Sequence, residues 1–503
     1  MSDLSLYKSC LRKVAIFLRD GIYKSCHENP FSFMPSNIVN DLMSTALVEH
    51  GLNGWRVGDL EQLLTSGRLR ELRINGQDVN TDRSQIISEV LYFLKSGCQE
   101  LEVLHLSGLI HYQVENTKPP KPEVSEALGS LLRNAPNLKD IHCCFGFDLK
   151  ALRNCKKLRS VRLHYCPQQP LYNFLAKENG NFEPHKYLEF LTVCRIRVLI
   201  PSDEIVVILR HCPELTSLGY IESSRALSQI HRMSVSPSEF KLRQCYWSDV
   251  NSNTCHNWSE RESRGIIRDA SLHRYPKMEE LVFMASSIKS IAYLRKLRNL
   301  VFLEITSLCD ENIGAVFRYV LQEIGSRLKH LSVDVFSLVD ISIFLQYCPN
   351  LESLKIGGHC CALSASSVIH LPRLQRLTIV NIKDRYVRRI FSQLSGCNQL
   401  TDLFLLDAGG FDDKSLHQFL KRNSLSNLKI AYLQCCGLTK DGFREFLLNA
   451  PQLEIVEMYD HDIRSIRFER VIRETNHKAI CNEGLFSYSD EFFEKRRAFC
   501  GHN

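Results

Sequence analysis

Cysteine and histidine are the residues here whose numbers invite a chemical reading. The chain of 503 residues holds 20 Cys and 18 His, side chains that as thiolate and neutral imidazole bind zinc or serve as nucleophile and base. Zinc needs ligands in spaced pairs, typically C-x2-4-C with a later pair of Cys or His. The close cysteines here, Cys143-Cys144, Cys360-Cys361 and Cys435-Cys436, are immediate neighbours instead. No G-x-G-x-x-G, G-x-x-x-x-G-K-[ST], H-E-x-x-H or G-x-S-x-G run occurs, so the patterns for dinucleotides, phosphates, metalloproteases and serine hydrolases are missing. The expectation is a protein with no catalytic residues, no metal and no cofactor.

What orders the cysteines is a repeat. Cys98, Ala135, Cys155, Cys212, Cys348, Cys397 and Ala450 each stand three residues before a leucine, often followed by proline as at Pro136, Pro213, Pro276, Pro349, Pro372 and Pro451. A small buried residue ends a helix and proline turns the chain. The leucine opens the pattern L-x-x-L-x-L. It recurs fourteen times, from Leu69/Leu72/Ile74 and Leu101/Leu104/Leu106 to Leu428/Ala431/Leu433 and Leu453/Val456/Met458. From Met278 onward the steps are 22 to 28 residues, within the range of leucine-rich repeats. The last two apolar positions alternate, so they share one face of a short strand. Between strands lie helical patterns such as Val387/Ile390/Phe391/Leu394. No single repeat buries both faces, so the repeats must stack.

The fold class is therefore α/β: a leucine-rich-repeat solenoid with parallel strands inside and helices outside, preceded by a small helical N-terminal box. The expected domains are 1–55 (box), 56–465 (solenoid, with a polar insertion near 222–277) and 466–503 (C-terminal cap or tail). Phe240-x-Leu242 marks a degenerate strand within the insertion, and the repeat stops after Met458. Residues 117–125, with Pro119, Pro120 and Pro122, read as an exposed loop. The net charge of +7 is small for this length, which argues against nucleic acid. No 18-residue apolar run is present and the first 20 residues are not a secretory signal. Reduced cysteines and a cytoplasmic or nuclear location follow as expectations.

The segments "HCPELTSL" and "YCPNLESL" resemble the cysteine-containing repeats of ubiquitin-ligase substrate receptors, particularly F-box proteins. The N-terminal box bears on the same theme. Leu6, Cys10 and Val14 fall at i, i+4, i+8, one stripe of a helix. Met34-Pro35 then opens a second helix, with Ile38 and Leu42 on one face. Ser5, Leu6, Cys10 and Val14 resemble a BC box, the helix that docks on elongin C. Met34, Pro35 and Ile38 resemble the companion cullin box. Together they look like the VHL box of cullin-2 ubiquitin ligases, and box plus repeats are similar to the Zyg and Zer receptors. Those receptors continue into an armadillo-like substrate domain that has no counterpart after the repeats here, so their rule for glycine-starting N-termini is not carried over.

The resemblance implies a substrate-recognition subunit of a cullin-RING E3 ubiquitin ligase, bound to elongin C, elongin B and a cullin and presenting an unknown protein substrate. Two alternatives stay open. Met34-Pro35-x-x-Ile38-x-x-x-Leu42 also fits the start of an F-box, which docks on Skp, though that leaves the helix at 5–19 unexplained. The same helix also serves as a plain cap on the first repeat, in a scaffold with no ubiquitin link.

The target surface is expected on the strand face away from the helices, at two, four and six places after each first leucine. Early repeats place Arg73, His105, His142 and Arg162 there. The last repeats place Phe404, Leu406, Ile430, Tyr432, Ile455, Glu457 and Tyr459. Apolar and aromatic groups aimed at solvent mark a binding face, unless residues 460–503 fold back over them.

Overall fold

The computed structural model describes residues 6–50, 57–75, 84–107, 122–163, 169–177, 179–193, 201–220, 223–232, 240–248, 275, 277–285, 287–307, 313–335, 339–358, 361–362, 368–459, 465–475 and 477–481. The described residues form two compact units that part between Leu242 and Arg243.

The first unit opens with three helices, α1 (Leu6–Arg19), α2 (Ser36–His50) and α3 (Val57–Leu64). Six parallel strands follow: β1 (Glu71–Asn75), β2 (Val103–Ser107), β3 (Asp140–Cys143), β4 (Ser160–Leu163), β5 (Phe190–Val193) and β6 (Ser217–Gly219). Helices α4 (Ser84–Gly97), α5 (Pro122–Arg133), α6 (Ser202–His211) and α7 (Ser223–Arg232) run between or after them. The register brings the first core positions into one line, Leu72 to Leu104 to Ile141 to Val161 to Leu191 to Leu218. Pro122 does not extend the expected loop but begins α5. Proline suits a first helical turn, where its missing N–H has no partner to lose.

The second unit has ten parallel strands in one sheet: β7 (Gln244–Ser248), β8 (Glu280–Ala285), β9 (Phe302–Ser307), β10 (His330–Val335), β12 (Ser353–Gly357), β15 (Arg376–Val380), β17 (Asp402–Leu406), β18 (Ile430–Gln434), β19 (Ile455–Tyr459) and β20 (Ile480–Cys481). Two-residue strands lie outside that sheet and pair among themselves: β11 (Val339–Asp340) with β13 (Cys361–Ala362), and β14 (Ile369–His370) with β16 (Leu394–Ser395). The helices are α8 (Ile288–Ala292), α9 (Gly314–Ile324), α10 (Ser342–Tyr347), α11 (Asp384–Gln393), α12 (Asp413–Leu420), α13 (Lys440–Asn449) and α14 (Ser465–Glu474). This is leucine-rich-repeat architecture, helices on one side of a parallel sheet.

Of the expected core positions only Met458 is not fully buried, and every member of the cysteine/alanine column is buried. Cys155, Cys212, Cys348 and Ala450 are the residues that end helical segments, as the small-residue argument required.

Two expectations are corrected. The insertion is shorter than 222–277, because a further repeat sits inside it. The strand is β7, not Phe240-x-Leu242. Leu242, Cys245 and Trp247, all buried, occupy the three pattern positions, with Leu242 as the opening leucine. The polar stretch 249–264 lies outside the described residues. Nor does the repeat stop at Met458: α14 packs on α13, and β20 pairs with β19 through Ile455 opposite Ile480.

Candidate docking faces

Helix α1 has two apolar faces. Leu11, Ala15 and Leu18 are buried where α1 packs on α2 and α3. Leu6, Cys10 and Val14 lie roughly 100° around the axis from them. Leu6 is 82% exposed, Cys10 is exposed and Val14 is half-buried. Ser5 lies outside the described residues. Tyr7, on the same flank, donates its hydroxyl to Asp41 Oδ2 of α2 at 2.7 Å. That hydrogen bond to a carboxylate raises the Tyr7 pKa above its ordinary value.

Met34 and Ile38 are half-buried and Pro35 is exposed. The Pro35 carbonyl accepts from Ile38 N and Val39 N, starting α2. Below them the box is tied down. Phe31 is fully buried and meets Tyr23 edge-on at 5.1 Å. Lys24 pairs with buried Asp59 at 2.7 Å. Asn40 Oδ1 accepts from the backbone N–H groups of Arg70 and Glu71 at 2.9 and 3.2 Å, satisfying donors where β1 begins. The box therefore caps the first strand through α2 while the outer face of α1 stays open.

The motif reading missed Phe33, which is 75% exposed. Of the ten large apolar side chains exposed among the described residues, five (Leu6, Tyr7, Ile16, Ile22 and Phe33) lie within the first 33 residues. That concentration separates the box from the singly scattered exposed groups elsewhere.

The strand face of the second unit brings several of the expected residues together. Phe404 pairs in register with Tyr432, and Tyr432 with Glu457; the Phe404 and Tyr432 rings stack at 5.0 Å. Yet Phe404 is 6% and Leu406 8% exposed, so neither is aimed at open solvent. Ile430, Tyr432, Ile455 and Glu457 are half-buried. Tyr459 ends β19. Alternation along a strand fixes which face a side chain takes, not what covers it.

In the first unit the equivalent row is a hydrogen-bonded chain. Arg73 Nη1 lies 2.8 Å from His105 Nδ1, and His105 Nε2 lies 3.0 Å from Asp140 Oδ2. A guanidinium only donates, so Nδ1 accepts and Nε2–H donates to the carboxylate. His142 meets His105 edge-on at 5.5 Å. Burial would raise the Asp140 pKa, but His105, Ser160 and Arg162 together bring it below its ordinary value. Among the described residues no cluster of His, Cys, Asp and Glu could hold a metal ion, and no helix is long and apolar enough to cross a membrane.

No family model and no curated protein matches the chain. Solved structures align over most of it at low similarity. One is an internalin of Listeria monocytogenes, with TM-score 0.31 and 16% identity over 80% of this chain and 88% of that one. Another is the complex of Rad7 and Elc1 in yeast, with TM-score 0.32 and 12% identity over 92% and 96%. A third is a leucine-rich-repeat protein of Leptospira interrogans, with TM-score 0.26 and 13% identity over 84% and 91%. The repeat assignment itself rests on the parallel register and the buried columns.

Proposed function

We propose that this chain is a non-catalytic substrate receptor of a cullin-RING ubiquitin ligase. Leu6, Cys10 and Val14 dock on elongin C, and Met34, Pro35 and Ile38 face the cullin. The repeats hold a protein target. The observation that carries the reading is the outer face of α1. A helix that served only as a cap would turn Leu6 and Cys10 inward, but Leu11, Ala15 and Leu18 do that work while Leu6 is 82% exposed. The F-box alternative receives less support, because Leu42, its last apolar position, is buried in the chain's own packing.

The test is purification of the full chain with elongins B and C, and separately with Skp. Burying a leucine is worth about 1.5–3 kcal/mol, so Leu6→Ala should weaken elongin binding at least about tenfold. Thermal unfolding should barely move, since Leu6 is already in water. Elongin binding that survives Leu6→Ala combined with Cys10→Phe, or retention of Skp in place of elongin, sinks the proposal.

A further inference from the structure

The strand face of the second unit carries an excess of one charge. At two, four and six places after the first leucine, strands β8, β9, β10, β12, β15 and β17 hold the carboxylates of Glu280, Glu304, Asp334 and Asp402 against Lys355 and Arg376, with His330 among them. The whole chain has a net charge of +7, so the acidity is local to this face. Arg376 pairs with Asp402 at 3.2 Å. Asp334 is half-buried and, among the described residues, has neither a hydrogen bond nor an ion pair. Its partner in register on β12 is Gly357, where a Cβ would stand 3.3 Å from the Asp334 Cγ and Oδ1. The missing side chain lets the carboxylate lie against the sheet. Acidic groups alone do not make a site, but two further polar atoms share this one. Ser332, two residues before Asp334 on the same face of β10, is 0% exposed and Ser353 of β12 is 2% exposed. Neither hydroxyl has a hydrogen-bond partner among the described residues. Burying a polar group without a partner is unfavourable, so a lone carboxylate beside two unpaired hydroxyls marks a place for a ligand that brings donors. Beyond Gly357 the same row turns apolar, with half-buried Val380 and then Leu406 in register.

We propose that this row receives an extended, arginine-bearing segment of a target protein, its guanidinium on Asp334 and an apolar side chain on Val380 and Leu406. A guanidinium is planar, always charged and carries five N–H donors. It meets a carboxylate through two parallel hydrogen bonds and has donors left for the Ser332 hydroxyl. Three strand steps of about 4.8 Å separate Asp334 from Leu406, about 14 Å. An extended segment crosses that distance in about four residues, and side chains four apart lie on one side of it. The recognised pattern is therefore an arginine with an apolar residue four places away. An acidic segment would meet like charge along the same face.

The target role rests on the receptor reading above, whereas the peptide site does not, so the two fail separately. A display library of random dodecapeptides is panned against the full chain. Enrichment of arginine with an apolar residue four places away supports the proposal. Acidic or arginine-free winners, or no enrichment at all, overturn it. The best winner is then synthesised and its affinity measured. Asp334→Asn keeps the shape and removes the charge, and should weaken binding at least about tenfold, the scale of a hydrogen bond to a charged group. Asp441→Asn, which removes an exposed carboxylate on α13, should leave the affinity unchanged. Equal loss in the two variants would mean attraction by bulk charge and overturns the site. A peptide with citrulline, the uncharged analogue of arginine, tests the same contact without altering the protein. It should lose at least about tenfold on the parent chain and little on Asp334→Asn, and full affinity of the citrulline peptide for the parent overturns the proposal. Elongin binding through Leu6 is measured on the same preparation: its loss while the peptide still binds rejects the receptor reading and leaves the peptide site standing.

Discussion

The cysteines divide by surroundings and not by sequence. Burial pushes the thiols of Cys155, Cys212, Cys348 and Cys397 up to about 12. The thiolate is the reactive form, so these sites stay inert in the folded chain, whereas Cys10 and Cys26 are exposed. Brief treatment with iodoacetamide near pH 8 should label Cys10 and Cys26, and the four buried thiols only after denaturation. Native labelling of Cys155 would contradict the packing. Asp140 gives a second prediction, with a sign. Its folded pKa lies below the ordinary value, about 3.9 for Asp. The stability it supplies is therefore fully present above that value and is lost as pH falls through the lower, folded pKa. Asp140→Asn should cost up to about 2 kcal/mol at pH 7, the scale of a hydrogen bond to a charged group. The gap from the parent should narrow toward pH 3 in urea titrations. A gap that widens on acidification would mean that the carboxylate is not the stabilising form.

Secondary-structure elements here depend on local polar closure as well as on the apolar pattern. Asp412 accepts from Ser415 N at 2.9 Å, Ser415 Oγ accepts from Asp412 N at 2.8 Å, and Arg388 donates to Asp412 at 2.8 Å. Removing such a cap costs about 0.5–2 kcal/mol, so Asp412→Ala should lower stability by that amount in chemical denaturation. Asp413→Ala would leave this capping box intact, but it removes the acceptor of the Thr439 N–H and tests the next repeat instead. The sequence made the aliphatic repeats readable because Leu, Ile and Val at fixed spacing have one physical explanation. It hid β7, whose core positions Cys245 and Trp247 are not aliphatic, and β20, which is two residues long. It also placed the Leu6 stripe on α1 without showing that Leu11, Ala15 and Leu18 form a separate, buried one. For Phe404 and Leu406 periodicity within a strand leaves open whether the face meets solvent or is covered, because it says nothing of what lies over the sheet.

At the scale of the molecule, a stacked array behaves unlike a single core. Each repeat touches only its neighbours, so stability sums over repeats and the interfaces between them. Leu303 of β9 is wholly buried and sits in register between Leu281 of β8 and Leu331 of β10. Leu303→Ala removes a buried side chain and leaves a cavity, at a cost of about 2–5 kcal/mol. In one cooperative core that loss would lower protection everywhere by the same amount. In this array it should concentrate nearby, because local openings draw on local contacts. Native-state hydrogen exchange should then quicken strongly at the amides of β8, β9 and β10. It should change little at β17 to β19, four to six strands from β9 in the sheet order. An equal rise in exchange across all ten strands of the second unit would mean that it unfolds as a single body, and the nearest-neighbour account of its stability would have to be given up.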